Sequence, residues 1–190
     1  MKIICTTLLS ILAASATPVY ADVAATVEAP ARRDLHLDLE VDPLAYVFSG
    51  YSVHAGIGWK SLRLDLGVYA MDLPELLHGN EGWDASFDGG GLKLQWFFLD
   101  EQRGPFVDVS AGISRQKVEL AATGATQTED VLGVGIDAGW RFALPYGFYA
   151  TPWVGASYDL NSDDVMLDGQ TFAKRKLLPF AAVHLGFRFR

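Results

Sequence analysis

The stretch LGVGIDAGWRF sets Leu132, Val134, Ile136, Ala138, Trp140 and Phe142 against Gly133, Gly135, Asp137, Gly139 and Arg141 in strict alternation. Successive side chains of an extended chain point to opposite faces, so the stretch predicts a strand with one wholly apolar face. Its other face carries only small and charged residues. The same period recurs along the chain. LHLDLEV places Leu35, Leu37, Leu39 and Val41 opposite His36, Asp38 and Glu40, and YSVHAGIGW places Tyr51, Val53, Ala55, Ile57 and Trp59 opposite Ser52, His54, Gly56 and Gly58. LRLDLGVYA, LKLQWF, VDVSAGIS, FYATPWVGASYDL and LPFAAVHLGFRF complete eight strands. Strands of this length and number, joined in sequence, predict an all-β, eight-stranded antiparallel up-and-down barrel over residues 35–190.

Which face points outward decides the class of barrel. Hydrophobic residues make up 50% of the chain, yet after the opening segment no run of 18 apolar residues occurs, which excludes further helical membrane spans. Apolar composition without an apolar run is what a transmembrane β-barrel requires, because lipid-facing and lumen-facing residues alternate. A soluble, lipocalin-like carrier is the alternative, with the apolar face inward. It would put Gly56, Gly58, Gly67, Gly89, Gly91, Gly112, Gly133, Gly135, Gly139, Gly155 and Gly186 on a solvated exterior. In a narrow lumen the same glycines leave room for larger polar side chains.

The connections alternate in length. Lys60-Ser61, Asp100 to Pro105 and Ala143 to Gly147 are short, whereas Asp72 to Asp84, Glu119 to Asp130 and Asn161 to Lys176 are long. Short periplasmic turns and long external loops have this asymmetry. Trp59, Trp96, Phe98, Trp140, Phe142, Phe148, Phe187 and Phe189 then all fall on apolar parity at the short-turn ends of their strands. That pattern predicts an aromatic girdle at one membrane–water interface. The segment 42–50 is compatible with either an extension of the first strand or a short helical loop.

The opening MKIICTTLLSILAASATPVYA has one cation, a short apolar run and a small-residue end, and predicts a signal peptide over residues 1–21 and export to the outer membrane. Residues 22–34 are polar and without period, and predict a flexible leader. The one cysteine, Cys5, lies within the signal segment, so the exported chain is expected to hold no disulfide. Removing Lys2 with that segment leaves 14 basic against the 23 acidic residues, a balance that argues against a nucleic-acid partner.

Polar parity collects Asp38, Glu40, His54, Arg63, Asp65, Lys93, Asp108, Asp137, Arg141, Asp159, His184 and Arg188 inside the barrel, with His36 beside them. Opposite charges there predict a salt-bridged network that fills a lumen just wide enough for side chains. A narrow polar conduit for small or amphipathic solutes is the competing reading. Ser52 and His54 share one face two residues apart, with Asp38 or Glu40 as carboxylate, the elements of an acyl hydrolase. The four histidines stand in HLD, HAG, HGN and HLG, none of them the His-x-Ser-Asn pattern of lipid A deacylase barrels. No catalytic residue and no cofactor is therefore assigned. Asp159, Asn161 and Asp163 match the first three EF-hand positions, but Asp164 and Gln170 stand where Gly and Glu are needed, so no metal site is assigned either. The loop DLPELLHGNEGWD carries Leu73, Leu76, Leu77 and Trp83, suited to packing over the barrel mouth or to contacting an external partner. Arg115 and Lys117 sit on apolar parity near the external end of their strand, where they would snorkel toward lipopolysaccharide phosphates.

The alternating strands, the girdle and the ending VHLGFRF resemble the eight-stranded outer-membrane barrels of Gram-negative bacteria, the group holding the OmpA barrel domain, OmpX and OmpW. The resemblance covers residues 35–190 and implies recognition of the terminal aromatic by the barrel-assembly machinery, although Arg190 here follows Phe189. It implies partners in outer-membrane lipid and lipopolysaccharide. With it, the sequence points to a non-catalytic outer-membrane barrel with a structural, envelope-integrity or surface-interaction role.

Overall fold

The computed structural model describes residues 35–189; the expected signal peptide, the leader and Arg190 lie outside the described residues. Eight strands close a barrel: β1 (Leu35–Val41), β2 (Tyr51–Trp59), β3 (Leu62–Leu73), β4 (Trp83–Phe97), β5 (Gly104–Leu120), β6 (Ala125–Ala143), β7 (Phe148–Asp159) and β10 (Leu177–Phe189). Each pairs antiparallel with the next, and β10 returns to β1 from Leu37↔Phe189 to Val41↔Leu185. Closure pairs each strand on both sides over the lower part of the ring, which is how a barrel satisfies its backbone without water. Between β7 and β10, β8 (Val165–Leu167) and β9 (Gln170–Phe172) form a separate hairpin.

Parity holds around the ring. Leu66, Val109, Ile136 and Val154 are 56–63% exposed, whereas Asp38, Arg63 and Asp65 are each 1% exposed. The chain therefore puts its apolar face out and its charges in, and the lipocalin-like arrangement is not the one it adopts. Trp59, Trp96, Phe98, Trp140, Phe142, Phe148 and Phe189 are exposed at the short-turn end, with Phe187 packed between Phe148 and Phe189 at 5.1 Å from each ring. The pairs Leu35↔Trp59, Leu62↔Trp96 and Pro105↔Trp140 put these rings at a common height.

Two of the long connections differ from expectation. The segment 119–130 is no loop: β5 and β6 run on as a hairpin that turns only at residues 121–124. Above Gln116 the inward parity changes from polar to apolar, and Val118 and Leu120 bury against Trp83, Ala85, Val165 and Phe172. This small core lies over the loop end and stabilises strands that have outgrown the barrel wall. The segment 161–176 likewise contains the β8–β9 hairpin, whose Asp168-Gly169 corner has positive φ at both positions, as a two-residue turn of matching twist requires. Asn80 joins the two loops, accepting from the Ala173 N–H at 2.9 Å and donating to its carbonyl at 3.1 Å. Trp83 and Leu73 join the cap, whereas Leu76 is 90% exposed and Leu77 half exposed.

The ambiguous segment after β1 is helical. Pro43–Val47 form α1, started by Asp42, whose carboxylate accepts the Leu44 N–H at 2.9 Å. Because β1 ends at Val41, the upper part of β10 has no strand beside it on that flank, and α1 fills the place against β2, β3 and β10. A second short helix, α2 (Glu75–His78), lies between β3 and β4.

Candidate functional site: the barrel lumen

The polar faces of β1, β2, β3, β6 and β10 converge on one ion cluster. Arg63 donates from Nε and Nη2 to Asp38 Oδ1 at 2.9 and 2.6 Å and from Nη1 to Gln95 Oε1 at 2.8 Å. Its Nη2 also lies 2.9 Å from Asp65 Oδ2 and 3.5 Å from Glu40 Oε2. Arg141 reaches Glu40 Oε1 at 2.6 Å, and the second Glu40 oxygen meets His184 Nδ1 at 3.1 Å. Two guanidiniums thus hold three carboxylates, and all five are almost fully buried. The planar fork of arginine suits this task, since one side chain can reach several carboxylates at fixed angles.

The remaining expected members occupy other levels. Lys93 pairs with Asp137 at 2.8 Å, and Asp108 accepts from Gln95 at 3.1 Å. Asp159 sits at the loop end, accepting from Gln116 at 3.2 Å. Arg188 donates to the Glu101 carbonyl at 2.8 Å in the turn after β4. The expected network is therefore one central cluster with separate contacts above and below it.

Below the cluster lies an aromatic layer that parity arguments about charge alone pass over. Phe97 and Phe106 pack at 5.2 Å, and the Arg141 guanidinium stands 4.7 Å from the Phe97 ring and 4.2 Å from the Tyr149 ring. Phe97, Phe106 and Tyr149 share the inward parity of Gln95, Asp108 and Thr151, so extending that parity to the apolar residues would have found them. Beneath them Gln102 joins His36 at 2.9 Å to the Leu62 carbonyl at 2.6 Å. Glycine makes the close packing possible. A Cβ on Gly56 would collide with Asp38 and Arg63, and one on Gly186 with the Tyr149 ring.

Above the cluster the lumen opens into a cavity of about 550 Å³. Phe48, Met71, Phe87, Phe172, Leu178 and Phe180 supply apolar walls, while Ser52, His54, Asp65, Lys93 and Trp153 lie toward its polar part. Ser52 Oγ lies 2.9 Å from His54 Nε2, and His54 Nδ1 lies 2.7 Å from Asp65 Oδ1. The carboxylate that orients His54 is thus Asp65 on the neighbouring strand, not Asp38 or Glu40 as the sequence suggested.

The EF-hand-like residues diverge. Asn161 bonds the Leu132 N–H and the Asp130 carbonyl, and Asp163 faces Lys176 at 3.7 Å. Arg115 and Lys117 are exposed on the outer face, paired with Asp130 at 3.3 Å and Glu119 at 3.0 Å.

No family model matches the chain, and no curated protein sequence matches it. Among solved structures it is similar to Neisserial surface protein A, at 14% identity and a TM-score of 0.50, over 81% of this chain and 94% of that one. The fold is that of the eight-stranded outer-membrane β-barrels. The N-terminal β-barrel domain of Pseudomonas aeruginosa OprF aligns over 82% of this chain and 96% of its own, at 14% identity and a TM-score of 0.47. At such identities the likeness concerns the fold alone.

Proposed function

We propose that the chain is an integral outer-membrane barrel that is closed to solutes and acts in envelope integrity or surface interaction. The observation that carries this reading is the two-layer obstruction of the lumen. The Arg63 and Arg141 ion cluster rests on the Phe97, Phe106 and Tyr149 layer, with buried side chains meeting across the interior. An open conduit would leave such charges hydrated and apart, whereas these are paired and desolvated. The reading gives the cluster a structural task. The exposed apolar belt, girdled by aromatics at the short-turn end and by Tyr46, Tyr51 and Tyr158 at the loop end, supports burial in lipid. Arg115 and Lys117, outward near the loop end, suit contact with lipopolysaccharide phosphates. Insertion would run through the barrel-assembly machinery.

Reconstitution in planar bilayers tests closure. The wild-type chain is expected to give no unitary conductance, and Arg141→Ala combined with Phe97→Ala to give small ion currents. Steady conductance from the wild type would refute closure and favour the narrow transport barrel. Residence in the membrane is tested separately, by fractionation of cells and by the slower gel mobility of a barrel on boiling in SDS.

A further inference from the structure

Ser52, His54 and Asp65 form a connected set, of which Asp65 alone also belongs to the ion cluster that closes the lumen. Ser52 and His54 project from one face of β2, and Asp65 reaches them from β3, whose Gly67 lies opposite His54 and leaves room for its ring. The two imidazole nitrogens have different partners, Asp65 Oδ1 at Nδ1 and Ser52 Oγ at Nε2. A carboxylate at Nδ1 holds the proton on that nitrogen, which leaves Nε2 to accept from the serine hydroxyl. Arg63 fixes Asp65 from behind at 2.9 Å, and His184 packs on the His54 ring at 4.7 Å. Each member of the set is therefore held in place by a neighbour, as a preorganised site requires.

All three residues line the cavity. Its volume of about 550 Å³ lies within the range of small-molecule sites, and its walls are mostly apolar. An external lipid substrate would not reach inward-facing residues from the barrel's flank. Leu44, Leu77 and Arg175 of the loop end line the same cavity, and an approach from that end would reach them first. Lys93, paired with Asp137 at 2.8 Å, lines the same space and is the cation on hand for a developing oxyanion.

We propose that Ser52 is the nucleophile and His54 the general base of an esterase site for single-chain acyl esters that enter the lumen from the loop end. Ser52 Oγ attacks the ester carbonyl carbon while its proton passes to His54 Nε2. The carbonyl–alkoxy bond then breaks, and the departing alcohol takes that proton. Water adds to the acyl-serine, again losing a proton to His54, and the bond to Oγ breaks as His54 Nε2 returns that proton to Oγ, which releases the acid and restores both Ser52 and the neutral His54. Asp65 acts as a positioning residue, through His54. The inference goes beyond the closed-barrel reading and stands independently of it.

The test uses the full chain reconstituted in phospholipid vesicles, a fluorophosphonate probe, and p-nitrophenyl esters of four to twelve carbons. Peptide mass spectrometry is expected to find the phosphonate on Ser52. Ser52→Ala should abolish that adduct, and His54→Gln should lower kcat/KM at least 100-fold, the scale of a lost general base. Both variants should keep the heat-dependent gel mobility of a folded barrel. Asp65→Asn should lower kcat far more than it changes KM and should alter the pH–rate profile; if that variant does not fold, the Ser52 and His54 variants decide alone. A folded wild type with no adduct on Ser52, or with ester turnover equal to that of Ser52→Ala, overturns the proposal.

Discussion

Replacing Arg63 by methionine removes a charge while keeping most of the apolar stem, and so isolates the ion cluster. Arg63 is 1% exposed and bonds Asp38 and Gln95, with Asp65 and Glu40 within 3.5 Å. In Arg63→Met, Arg141 would face three carboxylates alone, and it reaches Asp38 only at 3.7 Å. Breaking one buried ion pair costs about 3–5 kcal/mol, because the partner charge stays buried and uncompensated. Several partners are released here, so the upper part of that range is expected, limited by protonation of the carboxylates or entry of water. At an m-value of about 2–3 kcal/mol per M in urea, the midpoint should fall by about 1–2.5 M. The assay is reversible urea unfolding in phospholipid vesicles, followed by tryptophan fluorescence and checked by gel mobility. Arg115→Met, at an exposed pair, is the control and should change stability by about 0.5 kcal/mol or less. A loss below about 1 kcal/mol for Arg63→Met would refute the argument, since it would mean that the carboxylates are individually solvated.

Other expectations follow from the same geometry. Ile136→Lys puts a charge on the outer face near mid-strand and should cost about 2–4 kcal/mol in vesicles; equal stability of variant and wild type would argue against lipid at that face. Gly56→Ala drives a methyl into Asp38 and Arg63 and should cost about 1–3 kcal/mol, read by the same unfolding assay. At the loop end, burial holds the His78 imidazole below its ordinary value of 6.5, and its Nδ1 accepts the Asn80 N–H at 3.1 Å. A depressed folded value means that the contribution to stability is complete above pH 6.5 and is lost as pH falls through the folded value. Hydrogen exchange at the Asn80 amide should therefore accelerate, beyond the intrinsic pH effect, as pH falls below 6.5; protection that stays unchanged throughout the acid range in which the barrel remains folded would refute the link.

Alternation in the sequence determined the strands and which side chains turn inward, because face selection along a strand is a local property with a period of two. It also located the aromatic belt, since parity and nearness to a short turn are both visible in sequence. The partners of the inward charges were decided by tertiary structure. Asp65 orients His54 because β2 and β3 pair with Gly67 opposite His54, a register that composition does not encode. Arg63 gathers carboxylates from β1 and β3, and Arg141 crosses the lumen to Glu40, because closure brings distant strands face to face. The extension of β5 and β6 beyond the barrel depends likewise on Trp83, Val165 and Phe172 arriving from other loops to cover Val118 and Leu120. Periodicity assigns a residue to a face, but only register and closure decide what it meets there.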